Sequence, residues 1–447
     1  MNLPYFNFSV TPYKTPKDYT PFVVAFIETM NRYFSPIFFL IAGVAFGQTK
    51  VPDAEVARVQ KSAILIDTHN DVTSATVAGL DIGKARTDGH TDIPRMRAGG
   101  MGAQFFAVYV GPEYAKNHTA AHRTLEMIDT VRHDIIERYP ETFAYATTAD
   151  DIERAHKSGK IAALMGIEGG HAIEDSLRLL RDYYVLGIRY MTLTHVNSNH
   201  WADSSGDENK PNNGLTDFGK RVVLEMNRLG MIVDISHVAD KTFWDALAVS
   251  RAPIFASHSS CRALTNVPRN MTDEMLAALG KKDGVVQINF NCGFLSEKSA
   301  AADAAMGSNM AKRFSEMEAQ YKNDPPGLLA AQKAMAAEYA TKAVRATLQD
   351  VVDHIDHAVK VAGIDHVGLG SDFDGVECTP IGLDDTSKWP NLTRALLEKG
   401  YSAEDVRKIY GLNTLRLMRA VEKTAKEMQK EPVQADPPPI QVAPEGR

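Results

Sequence analysis

The chain has 447 residues, which admits two or three domains of roughly 100 to 200 residues each or a single elaborated α/β barrel. With 44% hydrophobic and 23% charged residues it has the composition of a globular protein with a sizeable core, which excludes a disordered or fibrous chain. Its 49 Lys and Arg against 56 Asp and Glu give a net charge of −7, so no general basic field is available for nucleic acid.

From the amino terminus, the first informative segment is the apolar stretch 33–46 (YFSPIFFLIAGVAF). At about 14 residues it is shorter than the roughly 20 needed to span a bilayer. Asn31-Arg32 before it and the small-x-small site Ala45-Phe46-Gly47 complete the three parts of a secretory signal peptide. On this reading residues 1–47 are an upstream extension plus a signal (about 30–47), Met30 is the functional start, and the mature chain begins at Gln48. An uncut membrane-anchoring helix is the alternative. Both imply export, to the periplasm or beyond, and the first expects no permanent membrane anchor.

Between Ser62 and Asp372 the chain shows eight apolar, β-rich runs of strand length, each followed by a loop and a helical pattern. They are 63–67, 103–110, 161–168, 188–195, 231–237, 252–258, 284–290 and 366–372. Most are continuously apolar, as parallel strands buried on both faces must be. Leu177, Leu180 and Tyr184 before Gly187, and Val222, Val223, Met226 and Leu229 between Thr216 and Gly230, have helical spacing with a glycine stop. The expected fold is a (β/α)8 TIM-type barrel over 48–422, metal-dependent hydrolase-like, with a helical insertion at about 299–349 between strands 7 and 8. A polar, proline-rich tail at 423–447 has too little apolar surface to offset its ordering.

The polar residues cluster where the runs end. His69 and Asp71 follow the first, Glu168 ends the third, His195 the fourth, His237 the fifth, His258 the sixth and Asp372 the eighth. In a barrel these carboxyl ends share one rim, the active face. Imidazoles and carboxylates converging there form a divalent-metal site, with Glu168 placed to bridge two ions and His237 and His258 on the second. A bridged pair roughly 3.5 to 4 Å apart lowers the pKa of a shared water, which is hydrolytic machinery. His354 and His357 (DHIDH) have helical spacing but read as a solvated face, His366 begins the last run at the opposite rim, and His171 reads as a hydrogen-bond partner behind the ligands.

The cysteines Cys261, Cys292 and Cys378 have no C-x-x-C spacing, which excludes a cysteine-based zinc site. One bridge at most is possible, and a buried free thiol is an equal alternative.

These residues resemble the renal or membrane dipeptidases, binuclear zinc metallopeptidases. The signature runs through Ile167-Glu168-Gly169-Gly170-His171, Leu180, Tyr184 and Gly187-Ile188-Arg189-Tyr190 to Leu193-Thr194-His195. DTHND (67–71), TDIPRMRAGGMGAQFF (91–106), DISHV (234–238), SHSS (257–260), PRNMTDEM (268–275) and GSDFDG (370–375) follow in family order, so the resemblance covers about 62–420. It implies two Zn2+ per chain, with His69 and Asp71 on one, Glu168 bridging, and His237 and His258 on the other. It further implies His195 as a partner of the tetrahedral oxyanion, Arg269 as the substrate-carboxylate anchor and Asp372 as the acid/base, with dipeptides as substrates and a possible homodimer. Where animal relatives have Asn-Phe-Tyr, this chain has Asn289-Phe290-Asn291, a departure at the position of a tyrosine contact to substrate.

The competing expectation is a metal amidohydrolase of the same barrel type acting on another C–N bond, such as an N-acyl-D-amino acid or a cyclic amide. A carbamylated lysine bridge would favour it, but no lysine ends any run.

Overall fold

The computed structural model describes residues 50–321, 324–433 and 435. The expected signal segment and most of the expected tail lie outside these residues. Eight parallel strands form a nearly closed ring: β1 (Leu65–Asn70), β2 (Met101–Tyr109), β4 (Ile161–Glu168), β5 (Ile188–Thr192), β6 (Ile232–Asp234), β7 (Phe255–Ser259), β8 (Val285–Ile288) and β9 (Val367–Leu369). The Asn70–Phe373 bridge returns the β9 side to β1, and the Thr68 hydroxyl donates to the Leu369 carbonyl at 3.1 Å. Helices follow most strands and bury apolar faces against them, as the continuous apolar runs require. Among the described residues no helix is long and apolar enough to cross a membrane.

The ring interior is packed. Tyr190 on β5 meets Phe105 on β2 at 5.5 Å and Phe255 on β7 at 5.3 Å between ring centroids. None of these strands is a neighbour of another, so the three rings meet across the barrel axis. A side chain on Gly166 of β4 would collide with the Tyr190 ring, so this glycine makes room for the aromatic layer.

Local signals act as the sequence indicates. Ser176 caps Leu177–Leu186, which stops at Gly187 in left-handed conformation (φ 114°), and Thr216 caps Asp217–Leu229, which stops at Gly230 (φ 92°). The insertion forms two helices, Glu297–Gln320 and Pro325–Lys342, the second capped by Asp324 through Gly327 N. Arg313–Glu338 (2.7 Å) and Tyr339–Asp303 (2.5 Å) hold them together. Cys292 and Cys378 form a disulfide that ties the loop after β8 to the loop after β9, while Cys261 is a buried free thiol.

Four expectations are corrected. A ninth strand, β3 (Phe143–Tyr145), pairs with β4 outside the ring; three residues are too few to register as an apolar run. His69 lies within β1, not after it. The last helix, Asn413–Met428, runs past 422 because Val421, Ala425 and Met428 continue a buried stripe at helical spacing. Finally, His354 is buried, not solvated. Its Nδ1 accepts from Cys261 N (3.0 Å) and its Nε2 donates to the Leu295 carbonyl (3.1 Å), so it cross-braces two loops of the active face. His357 on the same helix is half-buried and pairs with Asp273 at 2.7 Å.

Burial lowers the His354 pKa to about 4, against a partial offset from the Leu295 carbonyl. The unfolded chain takes up a proton near 6.5, so this contribution is complete above that pH and is lost as pH falls towards 4. A depression of this size corresponds to roughly 3 kcal/mol. His354→Gln retains an acceptor and a donor without the titration. Thermal denaturation between pH 6.5 and 4 should therefore show a shallower acid slope in the variant than in the wild type; parallel slopes would remove His354 from the account.

Candidate metal centre

The strand ends bring together every ligand candidate named above. His69 comes from β1, Glu168 from the end of β4 and His258 from β7, while Asp71, His195, His237 and Asp372 stand in the loops directly after β1, β5, β6 and β9. His237 (φ 65°) and Asp372 (φ 63°) sit in the left-handed region, a conformation that non-glycine residues hold only where the surroundings impose it. For Asp372, its N–H donates to the His69 carbonyl (3.1 Å), and Asn289 Nδ2 donates to its Oδ2 (2.8 Å).

Glu168 is the centre of the arrangement. Its Oε2 faces His69 Nε2 at 3.5 Å, and that nitrogen lies 3.1 Å from Asp71 Oδ2. Its Oε1 faces His237 Nε2 at 3.0 Å, His258 Nε2 at 3.2 Å and His195 Nε2 at 3.8 Å. Burial alone would raise the Glu168 pKa, but the facing imidazoles of His69, His195, His237 and His258 hold the carboxyl well below its usual range. Burial conversely pushes His237 and His258 well below the usual imidazole value, with the Arg269 charge adding to it.

The donor chemistry fits divalent ions. Asp234 is buried and receives the Ser257 hydroxyl at 2.6 Å, so the single Ser257 proton is committed there. Ser257 Oγ, 2.8 Å from His258 Nδ1, must then accept from it, which leaves a lone pair on His258 Nε2. That lone pair faces His237 Nε2 at 3.0 Å and a carboxylate oxygen of Glu168. Converging acceptors of this kind need a cation between them. His69 Nε2 and Asp71 Oδ2 are likewise buried without a hydrogen-bond partner. The donor–donor separations of 3.0 to 3.5 Å match the edge of about 3.3 Å of a tetrahedron with zinc–nitrogen bonds of 2.0–2.1 Å. A side chain on Gly375 would strike Asp71 Oδ2 and Asp372 Oδ1, so this glycine keeps the space open.

Beside the ligands lies a cleft of about 440 Å³, walled among others by Tyr109, His195, Asn291, Phe294, Asp372 and Val376. Arg269 reaches the same region, but its fork is partly used by the protein: Nη1 donates to Ser259 Oγ and Nη2 to the His258 carbonyl, both at 2.7 Å. Nε is buried without a partner. His171 was expected to hydrogen-bond behind the ligands; its Nε2 instead meets the Val110 carbonyl (2.8 Å), which is no ligand. Sequence reasoning missed Tyr190, whose hydroxyl meets His69 Nδ1 at 2.8 Å, Asn289 behind Asp372, Asp234 behind His258, and Tyr109, whose ring meets the edge of His195. A carboxylate inside a strand otherwise apolar, as Asp234 is in IVD, was the signal available.

A buried His and carboxylate cluster at the carboxyl ends of a (β/α)8 barrel defines a metal-dependent hydrolase. The family model of the membrane dipeptidases, peptidase family M19, matches residues 53–432, and the chain belongs to that family of metallo-dipeptidases. Among solved structures it is similar to the probable dipeptidase PvdM from Pseudomonas aeruginosa (TM-score 0.70, 24% identity, 83% of this chain and 99% of that one). It is also similar to a metallopeptidase from Rhodobacter sphaeroides liganded with a phosphinate mimic of the dipeptide L-Ala-D-Ala (TM-score 0.65, 27% identity, covering 80% and 100%). A third, dipeptidase AC of family M19, gives a TM-score of 0.66 at 27% identity over 80% and 99%.

Groups that orient a metal-bound histidine are typically worth 10- to 100-fold in metal affinity. Ser257→Ala strips His258 Nδ1 of its partner while keeping the backbone, and should weaken binding by that range in competition with a chelator. Unchanged affinity would show that packing alone sets the His258 ring.

Proposed function

We propose that this protein hydrolyses the peptide bond of dipeptides at a pair of zinc ions held by His69, Asp71, Glu168, His237 and His258. The observation that carries the reading is the division of Glu168: one oxygen faces His69, the other faces His237 and His258. Imidazole and carboxylate donors without thiolate favour zinc. Such a pair, when bound, supplies Lewis acidity and a shared water of lowered pKa.

The chain's own residues do the rest. Burial raises the Asp372 carboxyl to about 7; the His69 charge opposes this, while the charges of Asp71 and Glu168 add to it. A carboxyl with that balance, fixed by Asn289, takes a proton from the attacking water and passes it to the leaving amine. His195 stands over the same cleft, kept neutral by burial, and its ring N–H serves the oxyanion that develops on the scissile carbonyl. Arg269, braced by two of its N–H groups, has the remaining ones for the substrate's terminal carboxylate. The phosphinate mimic of a dipeptide bound to the similar metallopeptidase from Rhodobacter sphaeroides supports the same substrate class here.

Metal analysis beside a dipeptide assay tests the reading. The protein should carry two zinc ions per chain and lose activity to a chelator, and Glu168→Gln should empty at least one position, since a neutral amide does not balance two cations. Full activity after chelation, or one ion in the active protein, would refute it.

We further propose that the protein is exported. A Cys292–Cys378 disulfide belongs in an oxidising compartment, in keeping with the short apolar stretch and small-residue site near the amino terminus. Mass spectrometry of the mature protein should find its first residue near Gln48. Active cytosolic protein beginning at Met1 would overturn this part.

A further inference from the structure

The apolar residues of the cleft sort by position around the ring. Tyr109 ends β2 and Val196 follows β5, on the side of His195. Phe294 follows β8 and Val376 follows β9, on the side adjoining the loop after β7 that carries Arg269. The Arg269 guanidinium carbon lies over the Phe294 ring, 5.5 Å from its centroid. Phe294 is half-buried, so part of an aromatic face is left open in a cleft otherwise rich in carboxylates and imidazoles.

We infer that Phe294 is the wall against which the side chain of the substrate's carboxyl-terminal residue rests, and that the enzyme prefers dipeptides with an apolar residue there. The inference deepens the dipeptidase reading and rests on it, with Arg269 as the carboxylate anchor. In a dipeptide the Cα of the second residue is bonded directly to the terminal carboxylate. With that carboxylate on the guanidinium, the side chain one bond further on lies beside whatever borders the guanidinium within the cleft. Phe294 is that neighbour, and Val376 lines the same cleft from the loop after β9. An aliphatic or aromatic side chain there leaves water for the open ring face, whereas a charged one loses hydration without a partner.

The wall is held in place. Asn270, the residue after Arg269, donates Nδ2 to the Phe294 carbonyl at 2.8 Å. Two residues before Phe294, Cys292 is bonded to Cys378, and its N–H donates to the Cys378 carbonyl at 3.1 Å. Anchor and wall therefore keep a fixed spacing, the condition under which a pocket separates side chains by size as well as polarity.

The test compares kcat/KM for Gly-Leu, Gly-Phe, Gly-Gly and Gly-Asp, with Leu-Gly as the amino-terminal control, in the wild type and in Phe294→Ala. The wild type should favour Gly-Leu and Gly-Phe over Gly-Gly and Gly-Asp. In Phe294→Ala the Gly-Leu to Gly-Gly ratio should fall about tenfold, mainly through KM, with the Leu-Gly to Gly-Gly ratio kept. Phe294→Lys, a second variant independent of the first, should raise Gly-Asp relative to Gly-Leu. Ratios that do not move in either variant, or that move for Leu-Gly instead, overturn the inference. The other readings fail separately: a metal-loaded wild type that cleaves no dipeptide sinks the dipeptidase reading. Equal cleavage of Gly-Leu and its carboxyl amide removes the Arg269 anchor, and this inference with it.

Discussion

One buried carboxylate faced by imidazoles on either side organises this molecule. Glu168 is almost fully withdrawn from water at the end of β4, where an unpaired charge would be strongly unfavourable. Its two oxygens divide between His69 on one side and His237 and His258 on the other, so a cation held among these groups balances its charge. For His258 the Asp234–Ser257 chain turns a lone pair, not a proton, towards the centre. The assembly is complete only with cations in it. Barrel closure, the left-handed turns at His237 and Asp372 and the open space beside Gly375 all serve to bring these few atoms within reach of one another.

The barrel was legible from sequence for a simple reason. Parallel strands buried on both faces are written as continuous apolar runs, and the polar residue that ends each run marks the rim. Glu168, His237, His258 and Asp372 could be placed on one face from that rule alone. The grouping of His69 and Asp71 on one side of Glu168 came from the family resemblance, and the distances of the structure agree with it. What stayed hidden depended on contacts between distant segments. His354 looked solvated because its sequence neighbours Asp353 and Asp356 are charged, yet its partners are Cys261 and Leu295. The short β3 carries too few residues for any periodicity, and the pairing of Cys292 with Cys378 followed from no spacing rule.

Arg269 shows how one side chain serves structure and recognition together. Two of its donors fasten the loop after β7 to the backbone of His258 and the hydroxyl of Ser259, so the guanidinium has a defined position before any substrate arrives. A charge already immobilised loses less freedom on binding than one drawn from solvent. The same bonds couple it to a histidine of the metal cluster, so movement of the anchor and movement of that histidine are not independent.

The Cys292–Cys378 bond closes a covalent ring around the helices Glu297–Gln320 and Pro325–Lys342, the helix Leu348–Ala362, β9 and Asp372. A protease that severs the chain between the first two helices would therefore release nothing. Both new ends stay fastened to the barrel through sulfur, Asp372 remains joined to the chain on either side of the cut, and the nick becomes visible as two fragments only after reduction. The enzyme can thus be interrupted in sequence at this site and remain one molecule.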